Sequence, residues 1–168
     1  RPALSYFLKG VAVKDDYAEG WYNIGMAYNK LEMLDSALFS FSKSIESDSN
    51  YIESYQELSR LRMQKQNNPD EALHLLRLGA RHRPTSEFLW TNMASIYLQL
   101  KDSARYESAM EMAATINPQN LRVMGNLAQY YEKKKDISKF NYYASRAQAL
   151  QRKEQEAQLK EQKKQRKK

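Results

Sequence analysis

Apolar residues recur along most of this chain at the spacing of an amphipathic helix. In two neighbouring segments, residues 18 to 31 and 34 to 47, apolar side chains stand at positions i, i+3, i+4 and i+7, and a short polar turn separates the two segments. This spacing gathers the apolar side chains on one side of a helix. The sequence therefore predicts two antiparallel helices in this part of the chain.

The same helix pair recurs with a period of about 34 residues. In the clearest copy, Trp21, Ile24, Gly25 and Tyr28 are followed by Ala37 and Phe41. Residues of the same kind return in phase in three further copies: Tyr55, Leu58, Ser59, Ala72 and Leu76, then Trp90, Met93, Ala94, Tyr97, Met110 and Ala113, then Met124, Leu127, Ala128 and Tyr131. Such a period predicts a stack in which each helix pair covers the apolar face of its neighbour.

Small residues occupy the positions at which the helices are expected to cross. They are Gly25, Ser59, Ala94 and Ala128 on the first helices and Gly10, Ser44, Gly79, Ala113 and Ala147 on the second helices. A bulky residue stands about one turn away on each first helix: Trp21, Tyr55, Trp90 and Met124. We expect these large side chains to fill the space between neighbouring pairs.

This pattern resembles the tetratricopeptide repeat, and the resemblance covers residues 1 to about 150. It implies an all-α fold, a right-handed α-α superhelix, or solenoid, of helix-turn-helix units that ends in an extended C-terminal helix. The expected boundaries are an incomplete upstream unit at residues 1–17, four units at residues 18–51, 52–86, 87–120 and 121–154, and a basic helical or frayed tail at residues 155–168.

Residues 1–17 fit only the second helix of an incomplete unit. We therefore expect a partner helix before Arg1, so that the chain is a fragment of a longer protein. Without that helix, an apolar strip within residues 2–14 would be partly uncovered, and we expect self-association through it. The strip consists of Leu4, Phe7, Leu8 and Val11.

The net charge of +7 belongs mainly to the C-terminal end. Residues 151–168 hold six Lys, two Arg and three Glu, a net charge of +5, which leaves +2 for the other 150 residues. A solvated helical extension is the favoured interpretation of this basic tail. Binding of the tail to nucleic acid or to an anionic membrane is the disfavoured alternative.

The sequence lacks the usual motifs of catalysis. It has no Cys, no Gly-rich phosphate loop and no nucleophile elbow, and its two His residues, His74 and His82, have no third metal ligand nearby. We expect no enzyme activity and no cofactor, metal or small-molecule substrate. No stretch approaches the roughly 20 consecutive apolar residues of a membrane-spanning helix, so we expect a soluble segment, cytoplasmic or bacterial periplasmic.

The candidate binding surface is the inner face of the first helices. Asn23, Asn92 and Asn126 occupy the same position in three units, and Glu57 occupies it in the fourth. An Asn amide both donates and accepts hydrogen bonds, and in some proteins of the family an asparagine ladder holds an extended peptide. Asn at a solvated helix position is the alternative interpretation. Further residues expected in this groove are Tyr22, Met26, Gln56, Arg60, Phe88 and Arg122.

The resemblance implies a non-catalytic scaffold or adaptor that binds an extended peptide segment of a partner protein in its concave groove. A weaker form of the hypothesis is capture of a C-terminal carboxylate, as in chaperone-binding members of the family. Its candidates lack both Lys residues of that clamp; they are Gln56, Arg60, Asn92, Arg122 and Asn126. The alternative function is a structural spacer or oligomerisation appendage of a larger enzyme or membrane-associated machine.

Overall fold

The computed structural model describes residues 17 to 165, which form eight α-helices and no strand. The helices are α1 (Ala18–Lys30), α2 (Leu34–Ser47), α3 (Ile52–Gln66), α4 (Pro69–His82), α5 (Glu87–Gln99), α6 (Ser103–Ile116), α7 (Leu121–Lys134) and α8 (Ile137–Gln165). The predicted all-α fold is confirmed, and α1 and α2 end within one residue of their predicted bounds. The predicted helix and apolar strip of residues 2–14 lie outside the described residues.

The turns from α1 to α2, from α5 to α6 and from α7 to α8 share one backbone geometry. In each turn a backbone N–H donates to the carbonyl five residues earlier: Met33 to Tyr28 at 3.0 Å, Asp102 to Tyr97 at 2.9 Å and Asp136 to Tyr131 at 3.0 Å. The residue before each donor is left-handed: Glu32 at φ 59°, Lys101 at φ 58° and Lys135 at φ 61°. This is the Schellman arrangement, which ends a helix and reverses the chain.

The turn from α3 to α4 closes a hydrogen-bonded loop that is one residue wider, and it ends in a side-chain cap. Asn67 is left-handed at φ 47°, and the Asn68 N–H donates to the Arg62 carbonyl, six residues earlier, at 3.0 Å. The Asn68 side chain then accepts a hydrogen bond from the Glu71 N–H at 3.1 Å. Pro69 follows as the first residue of α4, where a missing N–H costs nothing.

The described residues belong to two compact units, one ending at Ile96 and the other beginning at Tyr97. In the first unit, buried Ser residues tie three helices together. Ser54 Oγ of α3 donates to Ser44 Oγ of α2 at 2.6 Å, and Ser44 Oγ donates to the Ala18 carbonyl of α1 at 2.7 Å. Each of these buried hydroxyls is therefore satisfied inside an otherwise apolar core.

The small residues predicted at helix crossings are buried, with one exception. A Cβ built on Gly25 would lie 2.7 Å from Phe41 Cε1, and one built on Gly79 would lie 3.1 Å from Tyr55 Cγ. These distances leave no room for a side chain at Gly25 and little at Gly79. Ser44, Ser59, Ala94, Ala113 and Ala128 are also buried, Ala147 is half-buried, and Gly10 lies outside the described residues.

In the second unit, aromatic rings join α6, α7 and α8. The Tyr131 and Tyr143 rings stack with their centroids 5.7 Å apart and an interplanar angle of 5°, and the Tyr106 and Tyr130 centroids are 5.1 Å apart. Helix α8 then continues to Gln165, and all its residues from 151 onward are exposed. The predicted extended C-terminal helix is therefore confirmed. The boundaries of the individual repeat units stay a prediction.

Candidate functional site

Three predicted site residues, Tyr22, Asn23 and Met26, lie on α1. Ile24 is fully buried and Gly25 packs against Phe41. Asn23 is half-buried, and Met26 is 38% exposed. Residues 22, 23 and 26 fall within about 100° of one another around a helix of 3.6 residues per turn. This part of α1 therefore offers one amide and one thioether at the surface.

Tyr22 is half-buried and contributes to packing as well as to this surface. Its ring centroid lies 5.8 Å from that of Phe41 and 5.4 Å from that of Tyr51. Burial raises the pKa of the Tyr22 hydroxyl, and the charges of Glu57 and Glu53 raise it further. The phenol is therefore a neutral hydrogen-bonding group beside the acidic residues of α3.

The matching positions of α3 carry an ion pair. Arg60 Nη2 lies 2.6 Å from Glu57 Oε2, Arg60 Nε donates to the same oxygen at 2.9 Å, and Arg60 Nη1 donates to Gln64 Oε1 at 2.9 Å. The Glu57 and Arg60 side chains are 23% and 36% exposed. Gln56, one residue before Glu57, is half-buried. The Arg60 guanidinium is thus engaged within its own helix, as opposite charges three residues apart allow.

Helix α5 carries the most exposed of the predicted residues in the first unit. Phe88 is 65% exposed, and Asn92, one turn later, is also exposed. The neighbouring Trp90 is fixed by a hydrogen bond from its Nε1 to the Pro84 carbonyl at 3.0 Å. Phe88 and Asn92 therefore pair an aromatic ring with an amide on the solvent side of α5.

In the second unit, Arg122 and Asn126 are both exposed on α7, while Val123 and Leu127 of the same helix are buried. The structure thus brings Tyr22, Glu57 and Arg60 together in the first unit and leaves Arg122 and Asn126 at the surface of the second unit. The row that includes Asn23, Asn92 and Asn126 stays a prediction.

A partly buried polar cluster in the second unit was missed by the sequence analysis. Tyr131 is fully buried, and its hydroxyl oxygen lies 2.8 Å from Glu107 Oε1 and 2.7 Å from Glu111 Oε1, so that its single proton is shared between the two carboxylates. Lys139 Nζ lies 2.8 Å from Glu111 Oε1 and 3.3 Å from Glu107 Oε1. Lys134 and Tyr130 also donate to Glu107. The sequence pattern that could have indicated this cluster is the i, i+4 spacing of Glu107 and Glu111, which places both carboxylates on one side of α6.

The cluster controls the ionisation of Glu107. Burial alone would raise the pKa of this carboxyl, but the hydrogen bonds from Lys134, Tyr131, Tyr130 and Lys139 outweigh burial and lower the pKa from 4.5 to about 2. Burial raises the pKa of the Tyr131 hydroxyl, so this group stays a neutral donor. Glu107 is therefore the ionised centre that joins α6, α7 and α8.

We expect this cluster to make the fold sensitive to acid. Because the pKa of Glu107 is lower in the folded chain than its ordinary value, the ionised carboxylate stabilises the fold. This stabilisation is complete above about pH 4.5 and is lost as the pH falls through about 2. Urea unfolding at a series of pH values should show a smaller acid-dependent loss in Glu107→Gln than in the wild type. If the free energy of unfolding fell equally with acid in both proteins, Glu107 would not be the group whose protonation destabilises the fold.

The described residues contain no further site of an obvious chemical type. Within residues 17 to 165, every helix is too short or too polar to cross a membrane. The same range holds no group of three His, Asp or Glu side chains arranged to bind a metal ion. The His82 ring instead stacks near Tyr55, with the centroids 6.3 Å apart. An open cleft of about 260 Å³ in the second unit is lined by Ala114, Thr115, Pro118, Met124, Tyr142, Tyr143 and Arg146.

Solved structures with a similar fold cover most of this chain. MamA matches with a TM-score of 0.73 and 16% identity, over 91% of this chain and 89% of MamA. PilW, a type IV pilus biogenesis factor, matches with a TM-score of 0.66 and 15% identity, over 87% of this chain and 67% of the PilW chain. YrrB, a tetratricopeptide repeat protein with an unusual peptide-binding site, matches with a TM-score of 0.62 and 17% identity, over 88% of this chain and 76% of the YrrB chain. At these identities the similarity concerns the fold alone.

Family models give the more specific result. Two models described as tetratricopeptide repeat match this chain, one over residues 18–51 and the other over residues 89–120. No curated protein matches the chain in sequence. The two matches agree with the helix pairs α1–α2 and α5–α6, whose turns share the Schellman geometry. This chain therefore contains tetratricopeptide repeats at residues 18–51 and 89–120, and the predicted resemblance to the tetratricopeptide repeat family is confirmed.

Proposed function

We propose that this chain binds an extended peptide segment of a partner protein along the first helices of its repeats. Tetratricopeptide repeats typically form non-catalytic scaffolds that bind other proteins or peptides. We place the peptide on the exposed side of these helices, where Asn side chains and large apolar side chains would hold it. The observation that carries it is that α1 and α5 each place an amide beside a large, exposed apolar side chain: half-buried Asn23 with Met26, and exposed Asn92 with Phe88.

The amide can bind the backbone of a peptide, and the neighbouring apolar group can contact the side chains of the peptide. One Asn side chain can accept from a peptide N–H and donate to a peptide carbonyl. Six such hydrogen bonds, two for each of Asn23, Asn92 and Asn126, would contribute about 3 to 9 kcal/mol at roughly 0.5 to 1.5 kcal/mol each. Because ordering a flexible peptide costs a comparable amount, backbone capture alone gives weak binding.

Specificity must then come from contacts with side chains of the peptide. The exposed Phe88 ring and the Met26 side chain provide apolar contact area, and aromatic residues are frequent anchors at interfaces. Tyr22 adds a neutral hydroxyl beside Glu57. We therefore expect a peptide with apolar side chains at positions that reach Met26 and Phe88. Gln56 and Arg122 are the remaining candidates from the predicted groove.

The Glu57–Arg60 pair favours an extended peptide over capture of a terminal carboxylate. An incoming carboxylate would have to displace Glu57 Oε2, which Arg60 already contacts through two nitrogens at 2.6 and 2.9 Å. Glu57 would also repel the arriving anion. The peptide-binding site attributed to YrrB, a protein of similar fold, supports a peptide as the class of ligand. Self-association through residues 2–14 stays a separate prediction.

We expect a triple variant, Asn23→Ala, Asn92→Ala and Asn126→Ala, to bind peptide at least about tenfold more weakly than the wild type, because each lost hydrogen bond removes roughly 0.5 to 1.5 kcal/mol. A peptide selected on the immobilised wild-type chain from a random display library serves as the probe. Isothermal titration calorimetry measures its affinity, and circular dichroism checks that the variant is folded.

The matched control removes three polar side chains from α8 instead: Asn141→Ala, Gln148→Ala and Gln155→Ala. These residues are exposed, so the control should keep both the fold and the affinity. If the triple variant and the wild type bound the peptide with equal affinity, the three Asn side chains would not contribute to peptide binding. Failure to select any peptide would favour the alternative function, a structural spacer or oligomerisation appendage.

A further inference from the structure

The C-terminal part of α8 is a helix with solvent on every side. From Gln151 to Gln165 each residue is exposed, although the helix is continuous from Ile137. At 1.5 Å per residue this exposed part is about 22 Å long. The only apolar side chains in residues 151 to 165 are Ala157 and Leu159. This part of α8 therefore contributes little to the core, and its surface is available to a ligand.

In the helix, most of the positively charged side chains of this segment lie on one side. At about 100° per residue, five cations fall within an arc of about 120°; they are Arg152, Lys153, Lys160, Lys163 and Lys164. Glu154 and Glu161 lie outside this arc, and Glu156 is the one acid within it. We call these five cations the basic arc of α8. These five cations and Glu156 together give this side of the helix a net charge of +4.

A stripe of Gln residues runs beside the basic arc. It recurs at alternating steps of three and four residues, which keep it on one face of the helix. The stripe consists of Gln148, Gln151, Gln155, Gln158, Gln162 and Gln165. All six side chains are exposed. The helix therefore presents charged donors on one face and neutral donors and acceptors on the adjacent face.

The composition of this surface distinguishes among the ligands that carry many negative charges. An anionic membrane would require a broad apolar face that enters the lipid, and a protein interface is usually held by aromatic or apolar anchors. The segment offers neither. Phosphate backbones, in contrast, are bound by Arg and Lys together with polar side chains such as Gln. A helix 10–12 Å across also fits the major groove of B-form DNA, which is about 12 Å wide.

We propose that the basic arc of α8 binds the phosphate backbone of double-stranded DNA without regard to sequence. The five cations contact phosphates on the groove edge, and the Gln stripe donates to phosphate and sugar oxygens from the adjacent face. This activity is independent of the peptide site proposed on the first helices, since none of its residues belongs to that site.

The test is fluorescence anisotropy of a labelled mixed-sequence DNA duplex titrated with the full chain at several salt concentrations. The arc variant replaces Arg152, Lys153, Lys160, Lys163 and Lys164 with Gln. We expect it to bind at least about tenfold more weakly at low salt. Since each phosphate contact contributes about 0.9 to the slope of log affinity against log salt, the loss of five contacts should decrease the magnitude of the slope by about 4.5.

The control variant removes the same number of charges elsewhere, at the exposed residues Lys30, Lys65, Arg81, Arg83 and Lys133, each replaced with Gln. It should keep most of the wild-type affinity. Equal losses in the two variants would overturn the proposal, because binding would then depend on net charge alone. Absence of duplex binding by the wild type at low salt would overturn it as well. Tighter binding to duplex RNA, to vesicles containing phosphatidylglycerol or to poly-glutamate than to DNA would assign the arc to that ligand instead.

Discussion

Replacing Glu107 with Gln is expected to lower the free energy of unfolding by about 2 to 4 kcal/mol. The Glu107 carboxylate accepts hydrogen bonds from Tyr130, Tyr131, Lys134 and Lys139, which lie on α7 and α8. A neutral amide keeps the shape but loses the charge and turns one acceptor into a donor. Breaking a buried ion pair costs about 3 to 5 kcal/mol. Because the Glu107 side chain is 17% exposed and its partners Lys134 and Lys139 are 50% and 43% exposed, the expected loss overlaps only the lower part of that range and extends below it.

Chemical denaturation of the wild type and of Glu107→Gln measures this loss directly. The matched control is Glu154→Gln, which removes a fully exposed carboxylate from α8 and should change the free energy of unfolding by less than about 0.5 kcal/mol. If the two substitutions had the same small effect, the cluster around Glu107 would not stabilise the second unit.

The second large effect is expected at Gly25, where Ala should destabilise the fold by about 1 to 3 kcal/mol. Gly25 lies inside α1, and a Cβ there would approach Phe41 Cε1 to 2.7 Å and Cδ1 to 2.8 Å. Phe41 is fully buried, so its ring has little room to move. Overpacking must therefore outweigh the gain of about 0.5 to 1 kcal/mol that Ala normally brings to a helix interior.

Gly125 provides the control for this substitution. It lies inside α7, and a Cβ built on it has no neighbour within 4 Å. Gly125→Ala should therefore stabilise the chain by roughly 0.5 to 1 kcal/mol. Thermal unfolding of the two variants should shift in opposite directions. A stabilising shift in Gly25→Ala would mean that α1 and α2 do not cross where the structure has them.

The repeat pattern predicts most of the fold because packing and sequence have the same period. Gly25 and Gly79 are small because a ring from the neighbouring helix packs against them, and that requirement is visible in the sequence as a recurring small residue. The turns are harder to predict. Glu32, Lys101 and Lys135 adopt a left-handed backbone that usually favours Gly or Asn, so their residue types give no signal.

The candidate site is less predictable than the fold because it depends on side-chain partners. The position of Arg60 follows from the repeat, but its engagement with Glu57 depends on the rotamers of both side chains. Tyr22 was expected in the groove, and its ring also packs on Phe41 and Tyr51. The Glu107 cluster joins residues up to 32 positions apart, a separation at which no local pattern pairs Glu107 with Lys139.

The most direct test of the proposed peptide site is the response of side-chain amide resonances to a bound peptide. Nuclear magnetic resonance spectra of the ¹⁵N-labelled chain would be recorded during titration with the display-selected peptide. We predict shifts of the side-chain NH₂ signals of Asn23, Asn92 and Asn126, with the signals of Asn141 and Gln155 unchanged. Shifts confined to residues outside the first helices, with the three Asn signals unmoved, would contradict the account.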